Sequence, residues 1–127
     1  MTKQMNIGIF GSQNDSTIDG VVAEAAQAER DGFASYWQSQ IFGLDALSTL
    51  SVVGREVPRI ELGTSVIPVY PRHPMMLAQQ ALTANQAAGG RLTLGIGLGH
   101  KVVVEGMTGM SFDKPVRHMK EYLSILM

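Results

Sequence analysis

Arg91-Leu-Thr-Leu-Gly-Ile-Gly-Leu-Gly-His100 sets Leu92, Leu94, Ile96 and Leu98 in strict alternation with Thr93, Gly95, Gly97 and Gly99. In an extended strand the two sets face opposite ways. One face is apolar enough to pack against helices, and the other is almost free of side chains. A strand bare on one face is weak unless something else lies close to its backbone. Two readings follow: a crowded barrel interior where larger neighbours fill the gap, or a flat ligand over the C-terminal end of the strand, beside His100. A dinucleotide fingerprint is excluded, because Gly-x-Gly-x-x-Gly places its third glycine inside a new helix. Here alternate residues are glycine, and Lys101-Val-Val-Val104 reads as something other than a helix start.

Working outward, the same strand closes a rhythm that begins at the N-terminus. Asn6–Gly11 is an apolar strand ended by the turn-rich Ser12-Gln13-Asn14-Asp15. Ser16 or Thr17 caps a helix with Asp19 in its first turn and Ile18, Val21, Val22, Ala25 and Ala28 on one face, and Gly32 supplies its left-handed end. Phe33–Ser39 is a second strand. Asp45 then caps a helix with Ala46, Leu47, Leu50, Val53 and Val57 on one face, stopped by Pro58. Ile60–Val69 reads as a third strand, unbroken until Pro68. Pro74 opens a helix carrying Leu77, Ala78, Ala81, Leu82, Asn85 and Ala88, which stops at Gly89-Gly90. After the fourth strand, Leu92–Leu98, comes a looser stretch. Asp113 and Pro115 then open a last helix with Val116, Met119, Leu123 and Leu126 on one face.

This β-α-β-α-β-α-β-loop-α order implies a parallel sheet with crossover helices. Four βα units in 127 residues give about 32 residues each, the scale of one unit of an eight-fold barrel. The expected fold is α/β: residues 1–127 as a single domain, the N-terminal half of a (β/α)8 TIM barrel. A small open doubly-wound sheet is the competing architecture.

Composition narrows the function. Ten Lys+Arg against eleven Asp+Glu give a formal charge of −1, leaving no basic surplus for a phosphate backbone, so no nucleic-acid partner is expected. The absence of cysteine removes disulfides, thiol catalysis and zinc-thiolate or iron–sulfur sites. The longest apolar runs are too short to span a bilayer, and the N-terminal residues lack the pattern of a signal peptide, so the expected compartment is the cytoplasm. Thr64-Ser-Val-Ile-Pro-Val-Tyr-Pro-Arg-His-Pro74 gathers prolines, an aromatic ring and two basic groups at one strand end. Strand C-termini are where parallel α/β folds bind ligands. Arg72 can meet a carboxylate or phosphate there, and His73 reads better as a helix cap than as a catalyst. Neither His73 nor His118 has metal-type spacing, so no metal site is expected, and His118 reads as part of a solvated helix face.

Several segments together resemble the luciferase-like monooxygenase superfamily, in its deazaflavin (coenzyme F420)-dependent oxidoreductase branch. They are Glu29-Arg-Asp-Gly-Phe33 leading to Trp37, Ile60-Glu-Leu-Gly-Thr-Ser-Val66, Arg72-His-Pro74 and Gly90-Arg-Leu-Thr-Leu-Gly-Ile-Gly-Leu-Gly99. They cover nearly the whole chain in the family's order. Full-length members are complete TIM barrels more than twice this long, so the resemblance makes this chain their first four βα units. It implies a third-strand bulge with a non-prolyl cis peptide behind the cofactor ring, matched by Ser65-Val66, and a fourth-strand end, Gly97 and Gly99 to His100, beside that ring. Many members carry Asp-His after Trp-x-x. Here the residues are Gln40-Ile41, and Gln40 can hydrogen-bond without acid/base work. Where many have Glu after the glycines, this chain has His100, a proton donor suited to neutral pH. The implied cofactor-binding set is Gln40, Ser65, Val66, Gly97, Gly99 and His100, with His100 also catalytic.

The implied reaction is hydride transfer between F420 and a small organic substrate, with the cofactor supplying the chemistry. A flavin mononucleotide (FMN)-dependent monooxygenase is the near alternative. A non-catalytic half-barrel remnant is another. An unrelated doubly-wound binding domain is a third, and it requires no cis bond at Ser65-Val66. A half-barrel also leaves strand edges unpaired and its interior uncovered. The expectation is therefore a homo-oligomer or one part of a longer enzyme. Relatives commonly pair through their second and third helices.

Overall fold

The computed structural model describes residues 4–12 and 17–127; the turn read over 13–15, Ser16 as the alternative cap and the first three residues of the chain lie outside the described residues. Six short strands and five helices follow in the order β1 (Gly8–Phe10), α1 (Ile18–Arg30), β2 (Ser35–Gln38), α2 (Ala46–Glu56), β3 (Glu61–Thr64), β4 (Ile67–Pro68), α3 (Pro74–Ala87), β5 (Leu92–Thr93), β6 (Ile96–Gly97), α4 (Lys101–Thr108) and α5 (Pro115–Leu126). The third and fourth expected strands are each broken in two. Ser65 and Val66, joined by a cis peptide, separate β3 from β4, and Leu94-Gly95 separates β5 from β6. Pairing is parallel throughout, in the orders β1-β2-β3-β5 and β4-β6.

Strand order that advances in one direction describes a barrel wall; a doubly-wound sheet reverses direction at its switch point. Layering agrees. Ile9, Tyr36 and Leu62 pack with Val21, Ala25 and Ala28 of α1 and Leu50 and Val53 of α2. Leu92, Leu94, Ile96 and Leu98 pack in a second cluster with Leu77 of α3, Val104 of α4 and Tyr122 of α5. By alternation, Gly8, Phe10, Trp37, Gly63, Gly95 and Gly97 face away from these helices, toward what is the inside of a barrel.

Helix boundaries follow their local chemistry. Thr17 accepts a hydrogen bond from the Gly20 amide, and Asp45 accepts one from the Ser48 amide. His73 Nδ1 accepts from the Met75 amide with Pro74 behind it, so His73 is a cap. Gly32 follows α1 at φ +87°, a conformation that costs glycine nothing.

Expectations for the last two helices need correction. A helix does begin at Lys101: Gly99 (φ +76°) and Gly109 (φ +68°) bracket α4, and burial of Val104 outweighs the weak helix propensity of three successive valines. The dinucleotide fold is excluded instead by strand order. The last helix turns only part of its expected face inward: Met119 and Leu126 pack against the second core. Val116 and Leu123 are exposed, whereas Tyr122 is buried and His118 is not solvated: its ring stacks on Tyr70 at 4.3 Å and its Nε2 is buried. The aromatic group Tyr70, Phe112, His118 and Tyr122 holds α5 in place, which apolar periodicity does not register. Lys114 at φ +48°, rather than Asp113, precedes the helix.

Candidate functional site

Parallel strands point their C-terminal ends the same way, and that end gathers Ser39 and Gln40 after β2, the Ser65–Tyr70 segment around β4, and Gly97–His100. The bare face of the fourth strand is not open along its length. A Cβ on Gly95 would lie 2.0 Å from the Thr64 carbonyl oxygen, and one on Gly97 would lie 2.5 Å from Val66 Cγ2. The Thr64 hydroxyl donates to the Gly95 carbonyl and accepts from the Gly95 amide, both at 2.8 Å. Neighbours from the third strand therefore fill the space above both glycines. The crowded-interior reading holds at Gly95, and at Gly97 the filling group is the side chain of Val66, itself 40% exposed.

Val66 over Gly97 makes a flat apolar shelf. Deeper along the inner face lies Trp37, whose six-membered ring comes within 2.3 Å of where a Gly63 Cβ would be and whose indole N–H donates to Ser35 Oγ at 2.8 Å. Phe10, directly across from Trp37 in the parallel register, adds a half-exposed ring. The floor is apolar and aromatic, suited to a planar ring system.

The polar groups stand at the rim. The Ser65 amide donates to the Gln38 carbonyl at 2.8 Å, tying the end of β2 to the shelf segment. Gln40 Oε1 accepts from the Ala46 amide at 2.8 Å and from Arg72 Nη2 at 3.3 Å. Arg72 also pairs with Asp45 and donates to Gln80 Oε1 at 2.9 Å. Burial pushes the Asp45 carboxyl upward, but the Ser48 hydrogen bonds and the Arg72 charge outweigh it and leave the group below its ordinary range. The carboxylate that Arg72 meets is thus internal, and a ligand phosphate gains no free cation from it. His100 is exposed, begins α4 without a side-chain capping bond, and makes no hydrogen bond to Gln40. The structure brings Val66 and Gly97 into contact, ties Ser65 to β2, and places Gln40, Gly99 and His100 at the same end of the wall. Sequence reading missed the Trp37 floor and the Arg72–Asp45 pair. The capping role of Asp45 was visible, but its partner 27 residues away was not.

A groove of about 270 Å³ between α2 and α3, lined by Asp45, Leu47, Met76, Gln79 and Thr83 among others, lies on the helix side of the wall. Among the described residues no helix is long and apolar enough to cross a membrane.

Residues 5–127 match the family model described as luciferase-like monooxygenase. A Mycobacterium tuberculosis protein named as a coenzyme F420-dependent oxidoreductase is 36% identical over 122 residues, which are 96% of this chain and 34% of the relative. The chain spans about a third of the length of the curated relatives it matches. Two solved structures overlay at a TM-score of 0.83. The coenzyme F420-dependent tetrahydromethanopterin reductase from Methanopyrus kandleri is 22% identical, with 98% of this chain and 40% of that chain covered. The oxygenating constituent of 3,6-diketocamphane monooxygenase from Pseudomonas putida, in complex with FMN, is 21% identical, with 97% and 38% covered.

Proposed function

Because the chain belongs to the luciferase-like monooxygenase family, we propose that it supplies the ring-binding half of an oxidoreductase that passes a hydride between deazaflavin F420 and a small organic substrate. The observation that carries this reading is the Val66–Gly97 shelf at the C-terminal end of a parallel barrel wall, floored by Trp37 and Phe10. The F420-dependent relative at 36% identity favours the deazaflavin. When bound, that cofactor supplies the ring carbon that gives or takes the hydride. The protein's part is to back the ring with Ser65 and with Val66 seated over Gly97, to let it approach the backbone at Gly99, to exclude water with its apolar floor, and to present exposed His100 to the substrate as the proton donor. The FMN-bound neighbour supports a second reading, an FMN-dependent monooxygenase on the same shelf. The α2–α3 groove, beside exposed Met75, Met76 and Leu82, supports pairing of two copies through those helices.

The test is a titration of the purified protein with F420 and, in parallel, with FMN. Trp37, the single tryptophan of the chain, is the built-in reporter, because a ring seated over the floor quenches it. Saturable quenching by F420 at micromolar levels supports the hydride-transfer reading, and quenching by FMN alone supports the monooxygenase. A folded protein that binds neither is a non-catalytic half-barrel.

A further inference from the structure

We propose that Gln40 is a fixed hydrogen-bond donor to a carbonyl oxygen of the bound ring, and that Arg72 is the positioning residue that fixes it; this rests on the cofactor reading above. A side-chain amide offers one oxygen with two lone pairs and one nitrogen with two N–H groups. Both lone pairs of Gln40 Oε1 are taken, one by the Ala46 amide at 2.8 Å and one by Arg72 Nη2 at 3.3 Å. Neither partner can accept: one is a backbone N–H in the first turn of α2, the other a guanidinium. Flipping the amide would set N–H against N–H twice, so its orientation is determined by its neighbours. Nε2 keeps two N–H groups with no acceptor among the described residues.

Arg72 is itself held from several sides. It pairs with Asp45 and donates to Gln80 at 2.9 Å, and its carbonyl accepts the Tyr122 hydroxyl at 2.8 Å. Its side chain is 17% exposed. Asp45 is anchored in turn as the cap of α2. The amide that emerges two residues past β2 is thus set by α2 and by the loop after β4, while the Ser65 amide ties β2 to the shelf. Deazaflavin and flavin rings both carry carbonyl oxygens along one edge. Gln40 can donate to such an oxygen and cannot take up a proton.

Dissociation constants for F420 and FMN, read from Trp37 quenching, and thermal midpoints test this on three proteins. Gln40→Glu keeps the size, and its first oxygen still accepts from Ala46 and Arg72, now as an ion pair. Its thermal midpoint is expected to equal or exceed that of the unsubstituted protein. Its second oxygen replaces the donor with an acceptor, and affinity for whichever cofactor binds is expected to fall about tenfold or more. Arg72→Met frees one lone pair, lets the amide turn, and is expected to weaken binding about threefold or more at temperatures where it is fully folded. Unchanged affinity in Gln40→Glu overturns the donor role, as does a collapse of its thermal midpoint, since the ion pair should hold it. Unchanged affinity in folded Arg72→Met overturns the positioning role. If the unsubstituted protein binds neither cofactor, this inference and the cofactor reading fall together. If it binds and Gln40→Glu binds equally well, this inference falls alone.

Discussion

Gly95 and Gly97 look equivalent in the alternating strand, yet the structure gives them different reasons to be glycine, and substitution by alanine separates the two. At Gly95 the new Cβ would sit 2.0 Å from the Thr64 carbonyl oxygen and 3.2 Å from its carbon, both backbone atoms. That oxygen must retreat by about 1 Å before the contact is tolerable, parting the third strand from the fourth. The retreat strains the two Thr64–Gly95 hydrogen bonds and the Ile67 amide bond to the Gly95 carbonyl. Overpacking of this kind costs about 2 kcal/mol. Two lost hydrogen bonds add about 1 kcal/mol each. Alanine returns about 0.5–1 kcal/mol of strand backbone entropy. The net expectation for Gly95→Ala is about 3 kcal/mol of destabilisation. At Gly97 the clash is with Val66 Cγ2 at 2.5 Å, the tip of a part-exposed side chain that can rotate away, so Gly97→Ala should cost about 1 kcal/mol or less. Urea unfolding followed by Trp37 emission, with a slope of about 1.5–2 kcal/mol per molar, should move the Gly95→Ala midpoint down by roughly 1.5–2 M and the Gly97→Ala midpoint by about 0.5 M. Equal midpoints for the two variants would refute the reasoning. So would a stable Gly95→Ala that has lost only ligand binding, because Gly95 would then be bare for a ligand and not for Thr64.

Tyr70 Oη is buried with no hydrogen-bond partner among the described residues, so Tyr70→Phe removes a buried polar atom without making a cavity. It is expected to raise stability by about 1 kcal/mol in the same urea assay, and a loss of that size would show that the hydroxyl is bonded in solution. The Asp45 carboxyl is held below its ordinary range in the folded protein, so its contribution is present above about pH 4 and is lost as pH falls through the lowered folded value. Asp45→Asn should be less stable than the unsubstituted protein at neutral pH and should lose less on going to pH 3. Parallel losses in the two proteins would contradict this assignment.

The wall of the barrel is legible in the sequence because helix faces, caps and glycine stops are local. Ala46, Leu47, Leu50, Val53 and Val57 are buried as their spacing predicts. What failed was set at longer range. Three valines after His100 argue against a helix until Val104 is seen to enter the second core. His118 reads as solvated until Tyr70, 48 positions earlier, is found stacked on it. Unbroken β-branched sequence likewise gives no local mark of the break at Ser65-Val66; only the family resemblance points there.

The motifs that carry the resemblance divide by place in the wall, and that division bears on what they can do. Glu29 accepts from the Arg59 and Ile60 amides at 2.8 Å each, which fixes the start of β3 to the end of α1. Arg91 donates to the carbonyls of Ala88, Ile60 and Gly54 at 2.6, 2.8 and 2.7 Å, gathering the ends of α3 and α2 and the start of β3. Both lie at the N-terminal end of the strands, where barrels keep stability rather than chemistry. Arg72 repeats the device at the opposite end, but its partners include Gln40, a side chain with donors left over. A charged bolt whose partners are all backbone carbonyls can only hold the fold, whereas one that fixes the orientation of a side-chain amide also fixes that the remaining nitrogen donates. Sequence departs from the family pattern at Gln40, and there the structure supplies a neutral donor in place of an acid. The proposed division of labour follows from this: proton transfer is assigned to His100, at the same end of the wall, and recognition of an oxygen to the β2 side of the rim.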